Sequence, residues 1–301
     1  MTGTLTRRNA IAACLLALMA AMPVASALGQ SAEALAAREH ALREQLSRNQ
    51  FQRPLVLEST ELNGALKGDV YAVVAQPYSV VGPAMQGMDH WCDILIIHLN
   101  VKNCTSSGTG ASSTLSVAVG RRFDQPIADT YLLDFSYRVI NSGPGYLRVQ
   151  LNADVGPFGT KNYRFVLEAI PLDSGSSFVH MSYSYTYGFA AQLAMQGYLA
   201  TAGRNKVGFS IVEHQPDGTP VYLGNVRGLI ERNAMRYYLA IEAYLGAYQS
   251  PSRDQPEKRM RDWFAAVERY PLQLHEIERD EYMSMKRREL ARQNAMPAAA
   301  N

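Results

Sequence analysis

The chain has 301 residues, 47% of them hydrophobic and 19% charged, which excludes a disordered or fibrous polypeptide. Arg7 and Arg8 are the only charged side chains before residue 28, and they account for the formal charge of +2. The remainder balances 27 bases against 27 acids, so nothing in the charge favours nucleic acid as a partner.

At the N-terminus the arginine pair is followed by an apolar run from Ala10 to Met22 and by Val-Ala-Ser-Ala at 24–27. A basic segment, a short apolar segment and an A-x-A site predict a signal peptide over residues 1–27, cut after Ala27. The run is too short and alanine-rich for a spanning helix. Ile11-Ala12-Ala13-Cys14 resembles a lipobox, but most of the apolar run lies after the cysteine; Arg7-Arg8 also fits a twin-arginine leader. Either export route predicts a periplasmic or secreted protein. Cys14 would leave with the leader, so Cys92 and Cys104 remain. In an exported chain an even pair points to a disulfide, with a metal site or a redox pair as the alternatives. The spacing is not C-x-x-C, and His90 and His98 do not complete a recognised ligand spacing.

Residues 31–48 open with Ser31 as an N-cap and continue with strong helix formers. Leu35, Ala36, Leu42 and Leu46 give this helix a thin apolar stripe and leave a solvated outer face. Strands are expected at 54–60 and 68–76, joined by the turn pair Asn63-Gly64. A short helix follows at 78–86, then the apolar run 88–99, which reads as a helix entering a strand. Residues 105–113 read as a flexible loop. Five strands come next, at 114–120, 130–140, 145–153, 162–170 and 177–188, separated by Gly, Pro, Ser and Asp clusters. Tyr131, Leu133, Phe135 and Tyr137 share one face, and so do Val179, Met181, Tyr183, Tyr185 and Tyr187. Such a meander makes an antiparallel sheet that needs a cover on its apolar face.

A helix is expected at 189–202, strands at 206–212 and 221–226, and then a long helix at 229–248. On that helix Ile230, Ala234, Tyr237, Tyr238, Ile241, Tyr244, Leu245 and Tyr248 form one stripe, opposite Arg232, Arg236, Ala243 and Ala247. Tyrosine contributes an apolar body and a hydroxyl that needs a partner when buried. The tail has an amphipathic helix through Met260, Trp263, Phe264 and Val267, then a second helix from 272 to 293 after Pro271. Met296–Asn301 has the character of a disordered end.

The segments GDVYAVVAQPYSVVGPAMQGMDHWCDIL (68–95) and VRGLIERNAMRYYLAIEAYL (226–245) have the shape of an opening strand with a helix pair and of a closing helix. In this order the chain resembles the START-like, Bet v 1-like (polyketide cyclase-like) helix-grip superfamily, and within it an exported bacterial family. The resemblance covers roughly residues 65–250 and implies an α+β fold in which an antiparallel meander grips a long C-terminal helix. It divides the chain into a signal peptide (1–27), an N-terminal helix and lead-in strand (28–64), the helix-grip domain (65–250), a helical tail (251–294) and the end (295–301). It also implies a cavity that takes an apolar or amphipathic small molecule such as a lipid. Tyr183, Tyr185, Tyr187, Tyr237, Tyr238, Ile241 and Tyr244 are the residues expected to line it.

The alternatives are a cyclase or hydrolase on the same fold, and an envelope protein that contacts a partner or membrane surface through its tail. Catalysis would need a histidine beside a carboxylate in the cavity, with His90 or His180 as the candidates. Glu231 is expected to sit in the first turn of the long helix, where the dipole favours an acid. Arg164, Glu168, Asp134 and Arg138 are expected to pair across the wet face of the sheet. The sequence contains no G-x-S-x-G, H-E-x-x-H, Walker or dinucleotide motif, so no cofactor and no metal is expected.

Overall fold

The computed structural model describes residues 31–121, 125–201 and 203–295. The leader assigned to residues 1–27, Cys14 included, and the end at 296–301 lie outside the described residues.

Eight strands form one antiparallel sheet in the order β1-β2-β8-β7-β6-β5-β4-β3. They are β1 (Leu55–Leu62), β2 (Ala65–Val74), β3 (Val101–Ser107), β4 (Thr114–Val119), β5 (Tyr131–Gly143), β6 (Tyr146–Val155), β7 (Lys161–Pro171) and β8 (Ser177–Thr186). Strands β3 to β8 are a meander, and β2 returns the start of the domain beside its last strand, with Tyr71 opposite His180. Strand β1 is an added edge, joined to β2 by Asn63 and Gly64, both in the left-handed region at φ 51° and 73°. The strand expected within 88–99 lies further on. Residues Met88–Leu95 form a helix, and β3 begins at Val101, taking in Thr105–Ser107 from the expected loop. Pairing with β4, which sets Cys104 opposite Val117, overrides the local loop preference.

Helix α1 (Ala32–Ser47) starts as expected, with Ala34 N–H donating to Ser31 Oγ at 3.2 Å. Its Leu35, Leu42 and Leu46 pack with Val56, Tyr71, Tyr146, Ile170 and Phe178 in a second core on the outer face of the sheet. On the inner face lie α2 (Tyr78–Gln86), α3 (Met88–Leu95) and the long helix, while α4 (Phe189–Ala200) and a small hairpin, β9 (Ile211–His214) and β10 (Pro220–Tyr222), separate β8 from that helix. The long helix, α5, spans Asn225–Ala247. It crosses β2 at Gly68, where a Cβ would stand 2.9 Å from Ala234 Cβ. Only the absence of a side chain there lets helix and sheet touch.

The helical tail is part of this core. Helix α6 (Gln255–Val267), a single turn, α7 (Pro271–Leu274), and α8 (Arg279–Ala295) bury Trp263, Phe264, Tyr282 and Met285 in the same apolar cluster as α5. The turn interrupts the second helix expected from 272. Trp263 Nε1 donates to the Arg236 carbonyl at 3.1 Å, and Tyr282 Oη donates to Ile97 O at 2.8 Å. This packing removes the apolar face on which a partner or membrane contact through the tail was expected. It also explains why α5 has no wet side: Arg232 is fully buried, and Arg236, Ala243 and Ala247 are buried too.

Cys92 on α3 and Cys104 on β3 form a disulfide with Cα atoms 5.1 Å apart. It staples the helix pair to the far edge of the sheet, and closing a loop of this length contributes on the order of 3 kcal/mol.

Candidate functional site

Two adjoining cavities lie between the inner face of the sheet and α5. The inner one, of about 70 Å³, is lined by Leu95 of α3, Val117 and Leu133 of β4 and β5, Phe165 of β7, Tyr183 and Tyr237 among others. The outer one, of about 200 Å³, shares Tyr163, Tyr183 and Tyr237 with it and extends past His98, Asn100 and Asn233 to a mouth at Phe158 and Met195. The period-2 alternation of β7 and β8 supplies the aromatic floor. Phe165 and Tyr237 meet edge-on with ring centres 5.8 Å apart, and Tyr183 lies 5.1 Å from Tyr237. Burial raises the pKa of Tyr183 and Tyr237, so both hydroxyls stay protonated at neutral pH.

One side of the mouth is a turn at Pro157–Gly159, in which Phe158 adopts φ 57° and remains 43% exposed. Helix α4 forms the other side: Met195 accepts a weak hydrogen bond from Tyr185 Oη, while Phe189 and Leu193 face solvent.

The expected tyrosine stripe splits in three. Tyr183, Tyr185 and Tyr237 line the cavities. Tyr187 is at the rim of the sheet, its hydroxyl on Glu61. Tyr238, Ile241 and Tyr244 do not line either cavity. Tyr238 is fully buried with its hydroxyl 3.3 Å from both Arg53 and Glu242, and Tyr244 packs near His90 under the Arg259 guanidinium. The reason is angular: neighbouring helical residues diverge by about 100°, so Tyr237 and Tyr238 cannot share a narrow opening. The helix lines the cavity instead with Leu229, Asn233 and Tyr237, one ridge at i, i+4 and i+8.

His98 was scattered among unassigned histidines in the sequence, and the structure brings it to this site. It is 4% exposed and stacks on Tyr237 with ring centres 4.6 Å apart. Its Nδ1 accepts the Asn100 N–H at 3.2 Å, and its Nε2 has no hydrogen-bond partner among the described residues. Burial, reinforced by Arg236, Lys286 and Lys102, drives its pKa well below the usual histidine value. No local sequence signal marks this residue, because α5, α6 and α8 bury it from elsewhere in the chain.

The other two candidate histidines lie elsewhere. His90 Nδ1 is 2.8 Å from the Ala84 carbonyl, an ordinary helix-to-helix tie. His180 does sit between carboxylates, with Nε2 2.8 Å from Asp69 and Nδ1 3.0 Å from Glu168, but on the outer face of the sheet. Glu168 also receives Arg148 at 2.8 Å and Tyr146, and Tyr71 stacks on the imidazole at 4.4 Å. Glu168 was expected on the wet face and is instead 4% exposed, paired with Arg148 through the register of β6 and β7.

Burial opposes the charge on His180, yet its hydrogen bonds to Asp69 and Glu168 prevail and raise its pKa. Burial likewise favours protonation of both carboxylates, and His180 holds their pKa values down. The histidine's contribution is therefore full below its ordinary value of about 6.5 and is lost as pH rises through the raised folded-state pKa. The carboxylates' contribution is full above about 4.5 and is lost as pH falls through their lowered values. The network should stabilise most between about pH 4.5 and 6.5. Urea unfolding of the wild type and His180→Gln should differ by on the order of 1 kcal/mol more at pH 5.5 than at pH 9. Equal differences at the two pH values would remove this account.

Among the described residues no group of three or more His, Cys, Asp or Glu side chains is placed to hold a metal ion, and no carboxylate lines either cavity.

No family model matches the chain, and no curated protein matches it by sequence. Chains of solved structure do. Ara h 8.0201 is 12% identical with a TM-score of 0.37, over 61% of this chain and 99% of that one. A norcoclaurine synthase point mutant of Thalictrum flavum, in complex with a transition-state analogue, is 14% identical with a TM-score of 0.33, over 50% and 93%. A START superfamily protein of Mycobacterium smegmatis is 9% identical with a TM-score of 0.31, over 46% and 92%. The fold is the helix grip. Its assignment rests on the strand order and the place of α5 in this chain, and the likenesses carry no residue role across.

Proposed function

We propose that the protein binds a small amphipathic molecule, about the size of one or two rings, in the cavities between the sheet and α5. The observation that carries this reading is an aromatic cavity, open at one end, whose few polar groups are Tyr183, Tyr237, His98, Asn100 and Asn233. A few fixed polar groups in an apolar enclosure orient a ligand without catalysing anything. The volumes of about 70 and 200 Å³ fall short of the ~300 Å³ and more of drug-sized sites, so a ring-sized molecule fits better than a long-chain lipid. Cyclase or hydrolase chemistry is less well supported, because a general acid–base pair is absent from the lining among the described residues.

The proposed location is the periplasm or the exterior. Its support is the leader pattern at residues 1–27 and the Cys92–Cys104 disulfide, a bond that persists in oxidising compartments. The N-terminal mass of the mature protein tests it, with cleavage after Ala27 expected and an intact leader the opposing result.

The binding reading is tested by filling the inner cavity. Val117 is 2% exposed and lines it, so Val117→Phe should occupy the space. NMR titration of the wild type with small aromatic probes should shift resonances of Tyr183 and Tyr237. The filled variant, if folded, should bind the same probes at least ten-fold more weakly. Unchanged affinity in a folded Val117→Phe protein would place any binding elsewhere.

A further inference from the structure

The reading that the cavity binds a small molecule leaves open what the molecule presents to it, and His98 supplies an answer. Nδ1 of His98 accepts the backbone N–H of Asn100, so that nitrogen carries no proton. The ring is enclosed, and Arg236, Lys286 and Lys102 all oppose a second positive charge beside them. A neutral imidazole whose Nδ1 is an acceptor must carry its proton on Nε2. That N–H is a donor with no acceptor among the described residues, in a side chain that lines the outer cavity and stacks on Tyr237. A buried donor without a partner is costly, and native structures rarely keep one without a use.

We infer that the cavity is built for a ring-bearing molecule with a carbonyl-type oxygen, and that this oxygen accepts a hydrogen bond from Nε2–H of His98. The apolar body of the ligand lies against Phe165, Tyr183 and Leu95, and the oxygen turns toward α5. The cationic groups behind His98 add to the preference for an acceptor, since they favour negative charge density at this end. His90 makes a useful contrast. Its Nδ1 faces a carbonyl and must carry the proton, so the two histidines adopt opposite tautomers.

The inference rests on the cavity-binding reading, and a matched pair of probes separates the two. Acetophenone and ethylbenzene have nearly the same shape and differ in the acceptor oxygen. Wild-type protein should bind acetophenone roughly ten-fold more tightly, the effect of one hydrogen bond to an otherwise unpaired donor. His98→Asn, which keeps an acceptor near Nδ1 and removes Nε2, should bind the two probes equally. His98→Gln, which returns an N–H near the Nε2 position, should recover part of the difference. Equal binding of the two probes by the wild type overturns this inference alone, and binding of neither overturns the cavity reading with it.

A second measurement needs no variant to fold. Nitrogen-15 spectra of the wild-type histidine rings should contain, besides His90 in the opposite form, a neutral Nε2–H ring that persists to pH 5 and shifts on adding acetophenone. Finding every ring protonated on Nδ1, or charged, at pH 6 would overturn the proposal.

Discussion

Glu289→Leu is expected to cost about 3–5 kcal/mol, among the largest losses of any single substitution in this chain. Glu289 is 5% exposed and stands between two interior lysines, with Lys102 Nζ at 2.9 Å and Lys286 Nζ at 2.7 Å. Lys286 also donates to the carbonyls of His98 and Val101 at 2.7 and 2.8 Å, so the cluster fastens α8 to the start of β3. Removing the one carboxylate leaves two ammonium groups in a low-dielectric interior without their shared counter-charge. Lys286→Met is the control: it leaves Glu289 with Lys102 and should cost less than half as much.

Burial lowers the Lys286 pKa to about 7, against the attraction of Glu289. Its folded-state pKa thus lies below its unfolded value, and between the two the unfolded chain binds more protons. Stability from this group rises with pH over that range. The Glu289→Leu deficit should accordingly be greatest near pH 6 and shrink toward pH 9. Urea midpoints at both pH values, for both variants, decide the matter; a Glu289→Leu loss no greater than that of Lys286→Met would refute the shared-counter-charge account.

Glu231→Ala should cost a similar 3–5 kcal/mol, for a different reason. Its carboxylate is fully buried two turns into α5, beyond reach of the first-turn dipole on which its placement was expected to depend. Oε1 accepts Ser59 Oγ and Ser210 Oγ, both at 2.6 Å. Oε2 accepts the backbone N–H groups of Phe209 at 2.6 Å and Ser210 at 2.9 Å. One side chain therefore ties the edge strand β1, the segment before β9 and the long helix together. Alanine would strand two backbone donors and two hydroxyls, and each buried orphan costs roughly 1–3 kcal/mol before relaxation. The segment from 203 to 224 should become sensitive to limited proteolysis, while Glu231→Gln, still an acceptor, should lose less. A Glu231→Ala protein within 1 kcal/mol of wild type would show that solvent takes over these bonds.

Much of this architecture was legible beforehand, because it depends on short-range patterns. Alternation over 130–140, 162–170 and 177–188 with Gly, Pro and Asp separators specifies a meander, and the structure has β5, β7 and β8 there. Ser31 before a run of helix formers specifies the start of α1, and Asn63-Gly64 specifies the β1–β2 turn. The helix-grip order followed from reading these elements in sequence. The cavity was less legible. A stripe on a helical wheel is wide enough to admit Tyr238, Ile241 and Tyr244, yet only the ridge Leu229, Asn233 and Tyr237 reaches the opening.

By itself the sequence determined the antiparallel meander, the long closing helix, the tyrosines of β8 and the cysteine pair, since each is a matter of periodicity or of composition along a short stretch. Only the tertiary structure decided what surrounds them. It placed the tail against α5, which buried Arg232 and Arg236 and turned an amphipathic helix into an interior one. It set His180 between two carboxylates on the wrong side of the sheet for cavity chemistry. It brought His98 beside Tyr237 with one nitrogen unpaired. Those contacts join residues more than a hundred positions apart, and no local periodicity encodes the burial of a polar group by segments that distant.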